Sequence, residues 1–190
     1  MATLGSPACA TARFLPGPGP AETRAVRVGG VSKGELLSRL RAANIAINEA
    51  ALTLFADARF LTSPESATRD IVELSVASLG FAAGATFAEL VERAARHGLR
   101  PCPLELGPHL RLQYRSQPEA DAGRPGTPHG APPGSVTVVS EPLSEDGDTP
   151  RGFYLRRFEG KLWLRGYRSG RGHLWSPHDV VAFLGAARGP

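Results

Sequence analysis

The sequence predicts an α+β fold: a mixed or antiparallel sheet of about five strands with three to four helices and a C-terminal β-hairpin. Three observations predict it. Apolar residues recur at helical spacing behind two capping boxes, Ser32 with Glu35 and Thr86 with Glu89. Apolar and polar residues alternate over residues 71–76 and again through the C-terminal region. Between two such alternating runs stands Glu159-Gly160, a two-residue turn of the Asp-Gly kind. With 190 residues, 42% of them hydrophobic, the chain has enough apolar material for one domain of ordinary size.

The elements follow in order. Residues 1–30 hold four prolines and five glycines without an apolar period, and are expected to form a disordered tail. Order is expected from Ser32, the cap of a helix whose Leu36, Leu37 and Leu40 make one stripe. Asn44 suits its end, and Asn48-Glu49 suits the start of a second helix carrying Ala51, Leu52 and Phe55. After a Ser/Pro loop at 62–68, Val72, Leu74 and Val76 alternate with Glu73 and Ser75 as a half-buried strand. The helix behind Thr86 presents Phe87, Leu90, Val91 and Ala94 and ends at His97-Gly98, with Pro101 and Pro103 forbidding continuation. Residues 109–115 place Leu110, Leu112 and Tyr114 opposite Arg111, Gln113 and Arg115, which reads as a strand.

Residues 116–134 carry five prolines and four glycines and are expected as a disordered loop interrupting a single domain of residues 31–184, with 185–190 as a tail. A strand at 136–139 follows, then an acidic turn with Glu141, Glu145, Asp146 and Asp148. Strands at 153–158 and 161–167 form the hairpin. Beyond Trp175, Ser176 suits an N-cap and Pro177 a first helical position, so a short helix through Leu184 is expected; extension of the sheet by residues 180–183 is the alternative.

Charge is unevenly spread. The net charge is +4, and all but Lys33 and Lys161 of the 22 basic residues are arginines, a ratio that a GC-rich genome explains. Residues 151–175 hold seven basic groups against Glu159, a net of +6, so the rest of the chain sums to −2. With the turn at Glu159-Gly160, the pairs Phe153/Gly166, Leu155/Leu164 and Arg157/Leu162 face the core. On the other side Tyr154 meets Arg165, Arg156 meets Trp163, and Phe158 meets Lys161. Interleaved rings and cations can stack on bases and neutralise phosphates. They can equally satisfy one another by cation–π contact.

Other chemistry is sparse. No P-loop is present, since Gly160-Lys161 is followed by Leu162, and no nucleophile elbow, zincin, CxxC or dinucleotide-binding motif occurs in context. Cys9 and Cys102 make no disulfide framework. Cys102, between two prolines, has nothing local to activate it. His173 and His178 with Asp179 form a weak metal set, His97 suits a helix C-terminus, and His129 lies in the Pro/Gly loop. His109, with Glu105 and Arg111, is the acid–base candidate. No run of 18 apolar residues and no signal-like start is present, so a cytoplasmic protein without membrane, metal or cofactor is expected.

The leading expectation is therefore an accessory protein, not an enzyme, that binds an anionic partner on the hairpin face, nucleic acid among the candidates. Tyr154, Arg156, Trp163 and Arg165 would be the centre and Phe158 and Lys161 the flanks. A small enzyme acting on a phosphorylated or nucleotide-like substrate is the first alternative. A protein-binding component, such as a toxin or immunity partner, is the second.

Residues 100–114 (RPCPLELGPHLRLQY), 152–167 (GFYLRRFEGKLWLRGY) and Trp175-Ser176-Pro177, together with residues 32–60, resemble a family of small bacterial proteins sometimes labelled helicase without motor motifs. The resemblance implies no activity. Its members carry an acidic pair after Trp-Ser-Pro, where this chain has His178-Asp179, and lack the insertion at 116–134.

Overall fold

A mixed seven-stranded sheet with four α-helices forms the fold, and the computed structural model describes residues 21–120 and 131–186. In chain order the elements are β1 (Glu22–Val28), α1 (Lys33–Ala42), β2 (Ala46–Ile47), α2 (Glu49–Ala56) and β3 (Ala67–Ser75). A 3₁₀ turn (Ala77–Leu79) leads to α3 (Phe87–Arg96) and α4 (Leu106–Gln113). Then come β4 (Val136–Val138), β5 (Gly152–Phe158), β6 (Lys161–Tyr167) and β7 (Val180–Leu184). The strand order is β1-β3-β7-β4-β5-β6-β2. β4 lies parallel to β7 and β2 parallel to β6, and the other neighbours are antiparallel.

Alternation sends one set of side chains to each face. On the first face Ile71, Val136, Phe153, Leu155, Leu164 and Ala182 join the apolar stripes of α1, α2 and α4 in one core. On the second face Val72, Leu74, Val181 and Phe183 pack with Leu79 of the 3₁₀ turn and Leu90 and Ala94 of α3. This second cover is centred on β3 and β7 and reaches the base of the ribbon at Trp175 and Tyr167. The helices with the main contacts to β5 and β6 are α2 and α4, which lie on the first face.

Of the two expected capping boxes one closes in full: Thr86 and Glu89 are reciprocal, whereas Ser32 Oγ accepts from Glu35 N–H but the Glu35 carboxylate turns to Arg39 at 2.9 Å. Asn48 Oδ1 accepts from Ala51 N–H at the start of α2 and from Gly166 N–H, while its Nδ2 donates to Gly166 O. One amide thus caps α2 and ties it to β6. Gly166 lets the two backbones approach, because a Cβ there would lie 2.5 Å from the carbonyl carbon of Ala50.

Several expectations are corrected. The sheet has seven strands rather than about five. Residues 22–28 are not tail but edge strand: Val26 and Val28 enter the first core, and pairing with β3 runs through all seven positions. Residues 1–20, the rest of the expected tail, lie outside the described residues. Residues 71–74 of β3 are not half-buried: all four are enclosed, even Glu73, which is held by Arg24 at 3.1 Å.

Residues 106–113 are helical, not a strand. Leu106 and Leu110 are one turn apart and both buried, and Gly107 seats against Phe153, where an added Cβ would lie 2.7 Å from the Phe153 Cβ and 2.9 Å from its ring. The expected helix before Leu184 is β7, so the alternative of sheet extension holds. The Pro/Gly segment is fixed at both flanks: Gln117 is buried and donates to Gly134 O and Leu155 O, and Ala120 N–H donates to Arg157 O. Of that expected loop, residues 121–130 fall outside the described residues. Likewise Gly185 is held by Asp70 O, and residues 187–190 are not described.

At the outer edge of β1, Gln113 of α4 stands where another strand would. Its Oε1 accepts from Arg27 N–H at 3.0 Å and its Nε2 donates to Arg27 O at 2.8 Å.

Candidate functional site

The site is built on the β5–β6 ribbon. Glu159 and Gly160 both have positive φ, 51° and 70°, the pair of left-handed residues that a tight hairpin turn requires. That turn sets the register: Tyr154 faces Arg165, Arg156 faces Trp163 and Phe158 faces Lys161. These six side chains share the second face of the sheet, and Trp163 and Phe158 belong to neither core. Trp163, Arg156, Phe158 and Arg165 are half-buried and Lys161 is exposed.

The face is internally cross-braced. The Arg165 guanidinium lies 5.1 Å from the Trp163 ring and 5.9 Å from that of Tyr154, and Arg156 lies 4.3 Å from the Phe158 ring. Arg156 Nε donates to Pro133 O at 3.1 Å, which fixes its stem. Among the described residues no carboxylate pairs with Arg156, Lys161 or Arg165, and Arg165 Nε is buried without a hydrogen-bond acceptor. Three other cations of the basic segment are committed, while Arg168 donates only to Asp148 O. Arg157 lies against Glu119, Arg171 against Glu145, and Arg151 over the Phe87 ring. The acidic turn at 141–148 therefore neutralises Arg171 but not the ribbon face.

One expected role changes. Tyr154 is only 8% exposed, too deep to present its ring as a stacking platform. Burial raises its hydroxyl pKa, opposed by the neighbouring Arg165 and Arg156. It forms instead part of the wall of a cavity of about 270 Å³ at the base of the ribbon, shared with Arg165, Tyr167, Arg168, His173 and Trp175. The Tyr167 and Trp175 rings meet edge-on at 5.5 Å, and His173 meets Trp175 edge-on at 4.9 Å. Sequence reasoning missed this group. Tyr167 was within reach, since alternation puts it on the same side as Arg165. Trp175 was not, because its place depends on a long-range bridge to Ala85.

Glu105, His109 and Arg111 do not converge. Glu105 is buried at the start of α4, and its carboxylate accepts from Ser63 N–H and Ser63 Oγ. His109 Nε2 accepts from Gly29 N–H at 3.0 Å and stands 3.9 Å from Glu105. Burial lowers the His109 pKa, opposed by Glu105 and reinforced by Arg39. Arg111 sits elsewhere around the helix, fully enclosed, donating to Gln117 Oε1 and Tyr114 O; desolvation lowers its pKa to about 10. A helical turn separates residues two apart by about 200°, so the strand-based grouping fails with the strand. Each member has a packing role.

The remaining candidates resolve simply. His97 caps the C-terminus of α3. Asp179 is buried and accepts from Ser176 N–H and Ala131 N–H, which ties the ends of two loops. His129 lies outside the described residues. No group of three His, Cys, Asp or Glu among the described residues is placed to hold a metal. Cys102 is buried, its thiol pushed well above the usual range by desolvation, and therefore unreactive. No helix among the described residues is long and apolar enough to cross a membrane. No protein-family model matches the chain, and neither a curated protein nor a solved structure matches it.

Proposed function

We propose that the protein is an accessory binder of single-stranded nucleic acid, and that its contact surface is the second face of the β5–β6 ribbon. One observation carries this reading: the second face of the ribbon holds Arg156, Lys161 and Arg165 without carboxylate partners among the described residues, interleaved with the half-buried Phe158 and Trp163. Guanidinium and ammonium groups meet phosphates there, and Trp163 offers the stacking surface that any base can use.

The test is a titration of wild type and the Arg156→Ala, Arg165→Ala double variant with a fluorescent oligonucleotide across salt concentrations. Three phosphate contacts predict a log–log salt slope of about −2, from roughly 0.7 per phosphate on a single strand. The double variant should lose salt-sensitive binding while its thermal midpoint stays within a few degrees. Equal affinity of the two proteins, or a salt-independent affinity, removes the proposal. A discrete complex with a cognate protein in place of oligonucleotide binding would instead establish the ribbon as a protein interface.

A further inference from the structure

We infer that the cavity at the base of the ribbon seats one nucleotide, a terminal base with its 5′-phosphate, so that a strand lying on the ribbon has a fixed end. The inference rests on the reading above, because the cavity adjoins the ribbon face and shares Tyr154 and Arg165 with it. Its volume of about 270 Å³ lies just below the roughly 300–1,000 Å³ typical of ligand pockets. That admits one ring and its sugar, not a folded chain.

The lining then selects the chemistry. Tyr154, Tyr167 and Trp175 supply aromatic walls, with the Tyr154 and Tyr167 rings 6.5 Å apart. Arg165 and Arg168 both reach the cavity, and no Asp or Glu lines it. Arg168 Nε is spent on Asp148 O, but the group has no carboxylate partner among the described residues. An aromatic wall, of which Tyr167 is the least buried ring, and two guanidinium groups able to hold a dianion stand together in this cavity. The cavity beside α3 offsets Arg151 and Arg171 with Glu92, Glu141 and Glu145. The cavity at Arg27, Arg39 and His109 is basic but has no aromatic wall besides the imidazole, and its Arg39 is committed to Glu35. Neither matches a nucleotide.

The experiment titrates AMP, CMP, GMP and UMP into full-length Trp163→Phe protein, leaving Trp175 as the fluorescent reporter. Adenosine, inorganic phosphate and free phosphotyrosine serve as competitors. Saturable binding of the monophosphates is expected, at least tenfold tighter than adenosine or phosphate alone. Arg168→Ala, at an exposed position, should weaken it about tenfold. Phosphate binding as tightly as AMP, phosphotyrosine matching AMP, or an Arg168→Ala protein indistinguishable from its parent would each overturn the assignment. Oligonucleotide binding to wild type without mononucleotide binding removes the pocket and leaves the ribbon reading in place. Absence of both removes the two together.

Discussion

His109 keeps its Nε2 unprotonated because that atom is already the acceptor for Gly29 N–H. The proton of the neutral ring therefore sits on Nδ1, and protonating Nε2 would set two donors against each other. Burial and Arg39 lower the folded pKa below the ordinary 6.5, with Glu105 opposing. The consequence has a definite sign. Above 6.5 both folded and unfolded chains hold a neutral imidazole and the full contribution is present. Between 6.5 and the lower folded value only the unfolded chain takes up the proton, so stability falls as pH falls through that window. Glu73 and Asp179, whose carboxyl pKa values are raised by burial, titrate with the opposite sign, so the comparison must be with a variant. Urea midpoints measured from pH 8 to pH 5 should fall more for wild type than for His109→Gln, whose side-chain oxygen can still accept from Gly29. Parallel curves would place the imidazole outside this balance. At the same scale Arg111 shows why residue type misleads: a cation in a polar-looking register proved to be among the most deeply enclosed side chains of the molecule.

The ribbon was legible from sequence because everything that fixes it is local. A two-residue turn, alternation on each side of it and cross-strand partners within fifteen positions leave one register. Its backbone gives a direct test. Gly160 has φ of 70° and a Cβ there would meet nothing within 4 Å, so Gly160→Ala isolates the backbone cost, about 1 kcal/mol, readable in a denaturant midpoint. Glu159, at φ 51°, bears the same strain with a side chain already present, and Glu159→Gly should stabilise by about as much. If both substitutions shift stability in the same direction, the turn is not of this kind. Elements set by distant contacts were not legible. The alternation of α4 through Leu110 and Leu112 fits either period, and only its burial under Phe153 and the first core decides for helix. β1 and β7 were hidden differently: proline and glycine dominated the average over 1–30 and masked the alternation at Val26 and Val28, and a plausible cap at Ser176 outweighed the β-branched run at Val180-Val181.

At the scale of the whole molecule, the sheet is finished on one face and half-finished on the other. The first face carries three helices, while on the second the apolar cover is centred on β3 and β7 and leaves the ribbon residues only half-buried. Fold and candidate site are thus two readings of the same asymmetry: the sequence pattern named the face, and only the placement of α3 and Trp175 showed which part of it is less covered. The two borders of the sheet differ as well. At β6 the two-residue β2 is the last strand, too short to template another. At β1 the border is seven residues long, and there Gln113 matters beyond its two bonds to Arg27. A side-chain amide imitates one rung of an absent neighbour, so an incoming copy finds that rung occupied. Gln113→Ala would expose it, and sedimentation at rising concentration should then show association that the parent chain resists. By this arrangement a helix protects the solubility of a sheet it also packs against, with a single carboxamide serving as the stop at the end of the row.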